Sequence, residues 1–198
     1  FEESLQVAAW LEDAGVDLLE ISGGTYEQPK LLGVAGLEDE EPQGVAHSTL
    51  QREAYFVDFA LAMQKKVSIP LMVTGGFRSR GAMQQALASG GADLIGLGRP
   101  LCVMTDAPAR LLEGLTALPR YEESLSMFPP WLTFLNRSPT LRTIGAFGIQ
   151  YWYYAQLDLL GRTGATDADL SVFAGTRQVM QQQRRWLKAR KRLSQAAS

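Results

Sequence analysis

The chain has 198 residues, 46% hydrophobic and 20% charged, which is enough apolar material for a core and too little charge for a disordered or fibrous chain. Its formal charge of -2 conceals an uneven distribution: all 21 acidic residues precede residue 181, while six of the 19 Lys and Arg lie beyond it, giving an acidic body and a basic tail. A single cysteine, Cys102, excludes an internal disulfide. A single histidine, His47, leaves no zinc-type cluster, so no bound metal and a reducing, cytoplasmic setting are expected.

The opening FEESLQVAAW has neither a basic segment nor a signal-type apolar run. It starts without methionine and already in a helical pattern, which suggests the downstream part of a longer chain. Leu5, Ala8 and Ala9, with Val7, Trp10, Leu11 and Ala14, fit a 3.6-residue period from Glu2 to Ala14, and Gly15 is placed to end that helix. Val16–Ser22 is a short apolar run suited to a strand buried on both faces. A polar loop of residues 23–47 follows, of the length reserved for functional loops. Ser48 and Gln51 have capping-box spacing, and Leu50, Ala54, Val57 and Leu61 carry a helix to about Lys66.

Ile69–Thr74 predicts a second strand, Ser79 a cap for a helix through Leu87, and Ala92–Leu97 a third strand. Asp106 and Pro108 open a further helix to about Leu118. Helices alternating with continuously apolar strands predict a parallel sheet covered by helices. Three such strands would expose two long edges, so a larger barrel or sheet is implied. No apolar run reaches the roughly 18 residues of a spanning helix, and a membrane is excluded as a partner.

Beyond Arg120 the alternation stops and aromatics accumulate in FPPWLTFLNRSP and FGIQYWYYAQLDLLG. The segment from Asp167 to Leu193 is helical, with Val172, Val179, Trp186 and Leu193 seven residues apart. Thr176, Gln183 and Arg190 at the other core positions of the heptad favour one docked helix over a coiled coil. The basic end RRWLKARKR lacks interleaved stacking aromatics, which argues against nucleic acid.

Two glycine clusters bear the chemistry. MVTGGFRSRG at 72–81 and LIGLGRPL at 94–101 each end a strand and each is followed by arginine. Strand ends of this kind at the last two steps of a parallel barrel hold phosphate: glycine lets backbone N–H groups approach the anion and arginine adds a charged contact. For Gly75 and Gly76 taken alone, a tight turn is an equally good reading, and the matching Gly98 and Arg99 tip the balance toward phosphate. Arg78 and Arg80 read as solvated residues just inside the next helix, Glu20 as half of an ion pair between strands, His47 as part of a helix-capping region and Cys102 as a small buried residue.

LLEISGGTYE, STLQREAYF, VTGGFRS and ADLIGLGRPL, in this order and spacing, resemble the C-terminal half of the Old Yellow Enzyme family of NADH:flavin oxidoreductases. The resemblance covers residues 1–118. It implies an α/β fold, the C-terminal part of a (β/α)8 TIM barrel holding about its last three strands, with residues 119–198 a helical C-terminal extension. It also implies FMN as cofactor, NADH or NADPH as reductant, and a small-molecule substrate, an electron-poor alkene such as an unsaturated carbonyl compound.

Gly75, Gly76, Phe77, Gly98 and Arg99 correspond to the family's phosphate-binding positions. Its catalytic residues and flavin-ring contacts come from the first five strands, so this chain alone is expected to be inactive. Tyr26, on the loop after the first strand, is a candidate contact to substrate or flavin. Self-association into a homo-oligomer stays open. An α-hydroxy-acid oxidase would require a histidine near the seventh strand, and none follows His47. A non-catalytic half-barrel serving as a binding or scaffolding module remains the alternative.

Overall fold

The computed structural model describes residues 2–22, 59–129, 131–132 and 138–196. They fall into two compact units, the first drawn from residues 2–22, 59–101 and 106–119, the second from residues 102–105 and 120–196.

The first unit is α/β. Helix α1, Glu2–Asp13, has acids in its first turn, where the helix dipole favours them. It ends as its sequence predicts: Gly15 takes a φ of 82°, its N–H bonds the Glu12 carbonyl, and Val16 N–H reaches back to Leu11 at 3.1 Å, closing a Schellman motif. Only the Leu5 and Ala8 side of the expected stripe is buried, and Trp10 is 61% exposed. Strands β1 (Leu19–Ser22), β2 (Leu71–Thr74) and β3 (Leu94–Gly96) form a parallel sheet in the order β1-β2-β3.

Each strand is shorter than its apolar run. Pro70 has no N–H to give to the ladder, and the Asp93 carboxylate takes the N–H of Leu71 at 2.9 Å, so pairing begins at residue 71. Leu71 and Val73 of the central strand are fully buried, whereas β1 alternates, with Ile21 inside and Glu20 and Ser22 exposed. This corrects the expectation that β1 is covered on both faces. Glu20 makes no ion pair among the described residues.

Helix α2, of which residues 59–64 are described, buries Ala60 and Met63. Helix α3, Arg80–Ala88, is capped as expected by Ser79, whose hydroxyl accepts the Ala82 N–H at 3.3 Å. Helix α4, Ala107–Glu113, stops at Gly114 with φ 122°, short of the expected Leu118. The reason is a contact distant in sequence: residues 116–118 run back along 78–80. Arg80 N–H bonds Thr116 O at 2.9 Å, Leu118 N–H bonds Arg78 O at 2.7 Å, and Ser79 and Ala117 form an antiparallel bridge. Arg78 therefore precedes α3 and is 8% exposed, with its Nη1 donating to the Phe77 carbonyl at 3.1 Å, rather than being solvated within the helix.

The end of α1 is tied to the turn before β2 through Glu12, whose Oε1 accepts the Ser68 hydroxyl at 2.5 Å and the Ser68 N–H at 2.7 Å. The Ser68 hydroxyl and then its backbone N–H hold the Glu12 carboxyl below the ordinary carboxylate pKa. A depressed folded pKa gives stability that is fully present above the unfolded pKa and lost as pH falls through the folded one. Glu12→Gln should therefore be less stable than the native chain at neutral pH, with the gap closing below the usual carboxylate range. Denaturant unfolding at pH 7 and pH 3 measures it, and a gap that stays constant with pH would sink the assignment.

The second unit is helical. Its elements are α5 (Tyr121–Ser124), α6 (Pro139–Thr163) and α7 (Val172–Ala196). Trp152 is fully buried among Val103, Tyr153 and Val172, and its indole N–H bonds Leu170 O at 2.6 Å. Gln156, also fully buried, pairs with the backbone of Asp167 in both directions, so neither end of its amide is left unmet. Gly175 lets α7 approach α6, since a Cβ there would stand 3.3 Å from both the Trp152 Cα and the Ala155 Cβ. On α7 the heptad positions divide: Val172 and Val179 are buried, while Trp186 is 58% and Leu193 73% exposed. The helix is docked over its first half. No helix among the described residues is long and apolar enough to cross a membrane.

Candidate functional site

The register of the sheet brings the two glycine clusters together. Thr74 and Gly96 are partners at the carboxyl ends of β2 and β3, so Gly75-Gly76-Phe77 and Leu97-Gly98-Arg99 leave the sheet side by side in the first unit. Thr74, Arg78 and the glycines differ in what holds them there. The backbone at Gly75 and Gly76 has φ of 115° and 78°, a region that L side chains resist. At Gly96 a Cβ would overlap the Thr74 Oγ1 and stand 2.7 Å from its Cβ. The fold by itself therefore demands glycine at 75, 76 and 96.

Gly98 is different. Its φ is not positive, it is exposed, and a Cβ built on it meets nothing within 4 Å. Nothing among the described residues requires glycine at that position, and space on its Cβ side is its distinguishing property. Arg99, half-buried, follows at once and opens a 3-10 turn, Arg99–Cys102, closed by Leu101 N–H on Gly98 O at 3.0 Å.

Phe77 is 2% exposed, so its ring belongs to the core and its backbone is what it can offer a ligand. Tyr26 and His47 lie outside the described residues. Cys102 is partly buried, and loss of solvent pushes its thiol pKa up, away from a reactive thiolate.

Sequence reasoning passed over two residues next to these loops. Arg78 looked like a helix residue, and only the pairing of 78–80 with 116–118 buries it. Thr74 ends an apolar strand, and its Oγ1 is buried without a hydrogen-bond partner among the described residues. A buried hydroxyl without a partner among the described residues, a glycine with space on its Cβ side and a guanidinium at Arg99, all at the carboxyl ends of β2 and β3, suit a phosphate group. No cluster of His, Cys, Asp and Glu able to hold a metal occurs among the described residues.

No family model matches the chain. It is similar to the NADH-dependent flavin oxidoreductase iccE of Talaromyces variabilis, with 33% identity over 173 residues, covering 83% of this chain and 39% of that protein. The NADH-dependent flavin oxidoreductase iliE of Neonectria sp. (strain DH2) is 45% identical over 94 residues, 47% of this chain and 12% of that protein. An NADH oxidase of Thermoanaerobacter brockii is 32% identical over 114 residues, 57% of this chain and 15% of that protein. The chain thus spans 39% or less of the length of these curated relatives. Similarity at this level to proteins of one kind, on a chain whose parallel strands end in the paired glycine loops, supports an Old Yellow Enzyme-like family of NADH-dependent flavin oxidoreductases.

Proposed function

We propose that the whole protein is an FMN-dependent oxidoreductase that takes hydride from NADH or NADPH and reduces a small electron-poor alkene such as an unsaturated carbonyl compound. On this reading residues 1–118 are the last three strand-helix steps of a (β/α)8 barrel, residues 119–198 are an extension of it, and the chain by itself is inactive. Bound flavin would supply the hydride transfer from reductant to substrate. The work of this chain is at the other end of the cofactor. Backbone N–H groups at Gly75, Gly76 and Phe77 would hold the phosphate from one loop, Gly98 would let the second loop come close, and Arg99 would neutralise the anion.

The observation that carries this reading is Gly98, a glycine whose φ is not positive and whose Cβ position meets no atom within 4 Å among the described residues. Gly98→Ala in the whole protein should leave the apoprotein within about 0.5 kcal/mol of the native one, as for surface substitutions that disturb no packing. FMN should bind roughly tenfold or more weakly, as befits the loss of a close charged contact, while riboflavin, which has no phosphate, binds as before. Thermal melts of the apoprotein beside fluorescence titrations with both flavins give the answer. Unchanged FMN affinity would remove Gly98 from the cradle, and with it the main support for the phosphate reading.

A further inference from the structure

The Thr74 hydroxyl is an anomaly in the fold. Its Oγ1 is fully buried and has no hydrogen-bond partner among the described residues, although it sits at the end of the central strand, where partners are easily supplied. A buried hydroxyl with nothing to bond destabilises a protein, so such a group survives where something outside the fold completes it. Its surroundings point the same way. Thr74 is the residue before the Gly75-Gly76 turn, it is in register with Gly96, and its Oγ1 lies where a side chain at 96 would begin. Glycine at 96 thus gives the Thr74 side chain its room at the strand ends from which both glycine loops leave the sheet. The residue as a whole is only half-buried, and one rotamer step about χ1 exchanges Oγ1 with Cγ2 without moving the backbone.

We infer that Thr74 is a further phosphate ligand, donating its hydroxyl to an oxygen of the FMN phosphate held between the two glycine loops. The inference rests on the FMN reading above and adds to it a side-chain donor from the strand itself. It also explains why Thr74 and Gly96 occur as a pair: the small residue on β3 exists to seat the hydroxyl on β2.

The test is Thr74→Val in the whole protein, which keeps the branched shape and removes the donor, beside Thr74→Ser, which keeps the donor. Removing an unmet hydroxyl should leave the apoprotein melting at or above the native temperature. The same change should weaken FMN by roughly tenfold or more, the ratio expected for one hydrogen bond to a charged group, and leave riboflavin unaffected. Thr74→Ser should retain most of the FMN affinity. A lower apoprotein melt with parallel losses of both flavins would make the hydroxyl structural and overturn the inference. Unchanged FMN affinity in Thr74→Val, with Arg99→Ala still impaired, would overturn it while leaving the phosphate reading intact. A native protein that binds no FMN would remove both.

Discussion

Arg99→Ala should weaken FMN by roughly 10- to 150-fold in the whole protein and leave riboflavin nearly indifferent, if Arg99 meets the phosphate as proposed. The range follows from a charge-assisted hydrogen bond worth about 1.5–3 kcal/mol. Arg99 is half-buried at the mouth of the second glycine loop, where it is partly shielded from water and its charge is screened less by salt than that of a surface arginine. Arg99→Lys should recover only part of the loss, because an ammonium keeps the charge but not the planar fork that meets two oxygens at once. Titrating both flavins into the apoprotein of each variant decides the matter. Equal losses for FMN and riboflavin would assign Arg99 to the ring or to the fold.

In the second unit the largest effect falls on stability. Trp152→Ala should cost about 3–5 kcal/mol, the range for deleting a large aromatic from a packed core. Trp152 is fully buried, lies edge-on to Tyr153 with centroids 5.1 Å apart, and is 6.1 Å from the ring of Tyr121. Removing it also leaves the Leu170 carbonyl without the donor that now sits 2.6 Å away. Trp152→Phe should cost less, since it restores most of the volume but not the N–H. Denaturant unfolding of the helical unit, followed by far-UV circular dichroism, is the measurement. A loss below about 1 kcal/mol for the alanine variant would show that this core collapses around the gap.

What could be read in the sequence was local. Gly15 ending α1, Ser79 capping α3 and Asp106 with Pro108 opening α4 depend on a few adjacent residues, and each lies where its sequence placed it. Apolar runs separated by helical patterns gave the parallel sheet and the positions of Gly75, Gly76, Gly98 and Arg99 at its carboxyl end. What could not be read depends on residues far apart in the chain. Nothing near Arg78 announces that residues 116–118 return to cover it, or that α4 must end early for them to do so. The strand limits were overestimated because an apolar run records burial, whereas a ladder needs a partner N–H, and Pro70 has none. The same blindness hid Thr74. Its significance lies in standing opposite Gly96, a matter of register that no single segment contains.

If the glycine loop holds the flavin phosphate as proposed, the strap formed by residues 116–118 bears on the speed of cofactor capture. Because three residues at the foot of the glycine loop are fastened by backbone hydrogen bonds to a segment nearly forty positions away, their conformational entropy is surrendered during folding and not again on binding. On the proposed phosphate reading, a loop prepared in this way would receive its anion by diffusion and docking alone, with no slow closing step to limit the on-rate. Loosening the strap by lengthening the turn at Gly114 would restore that step, so flavin would associate more slowly even though every residue that faces it remained in place.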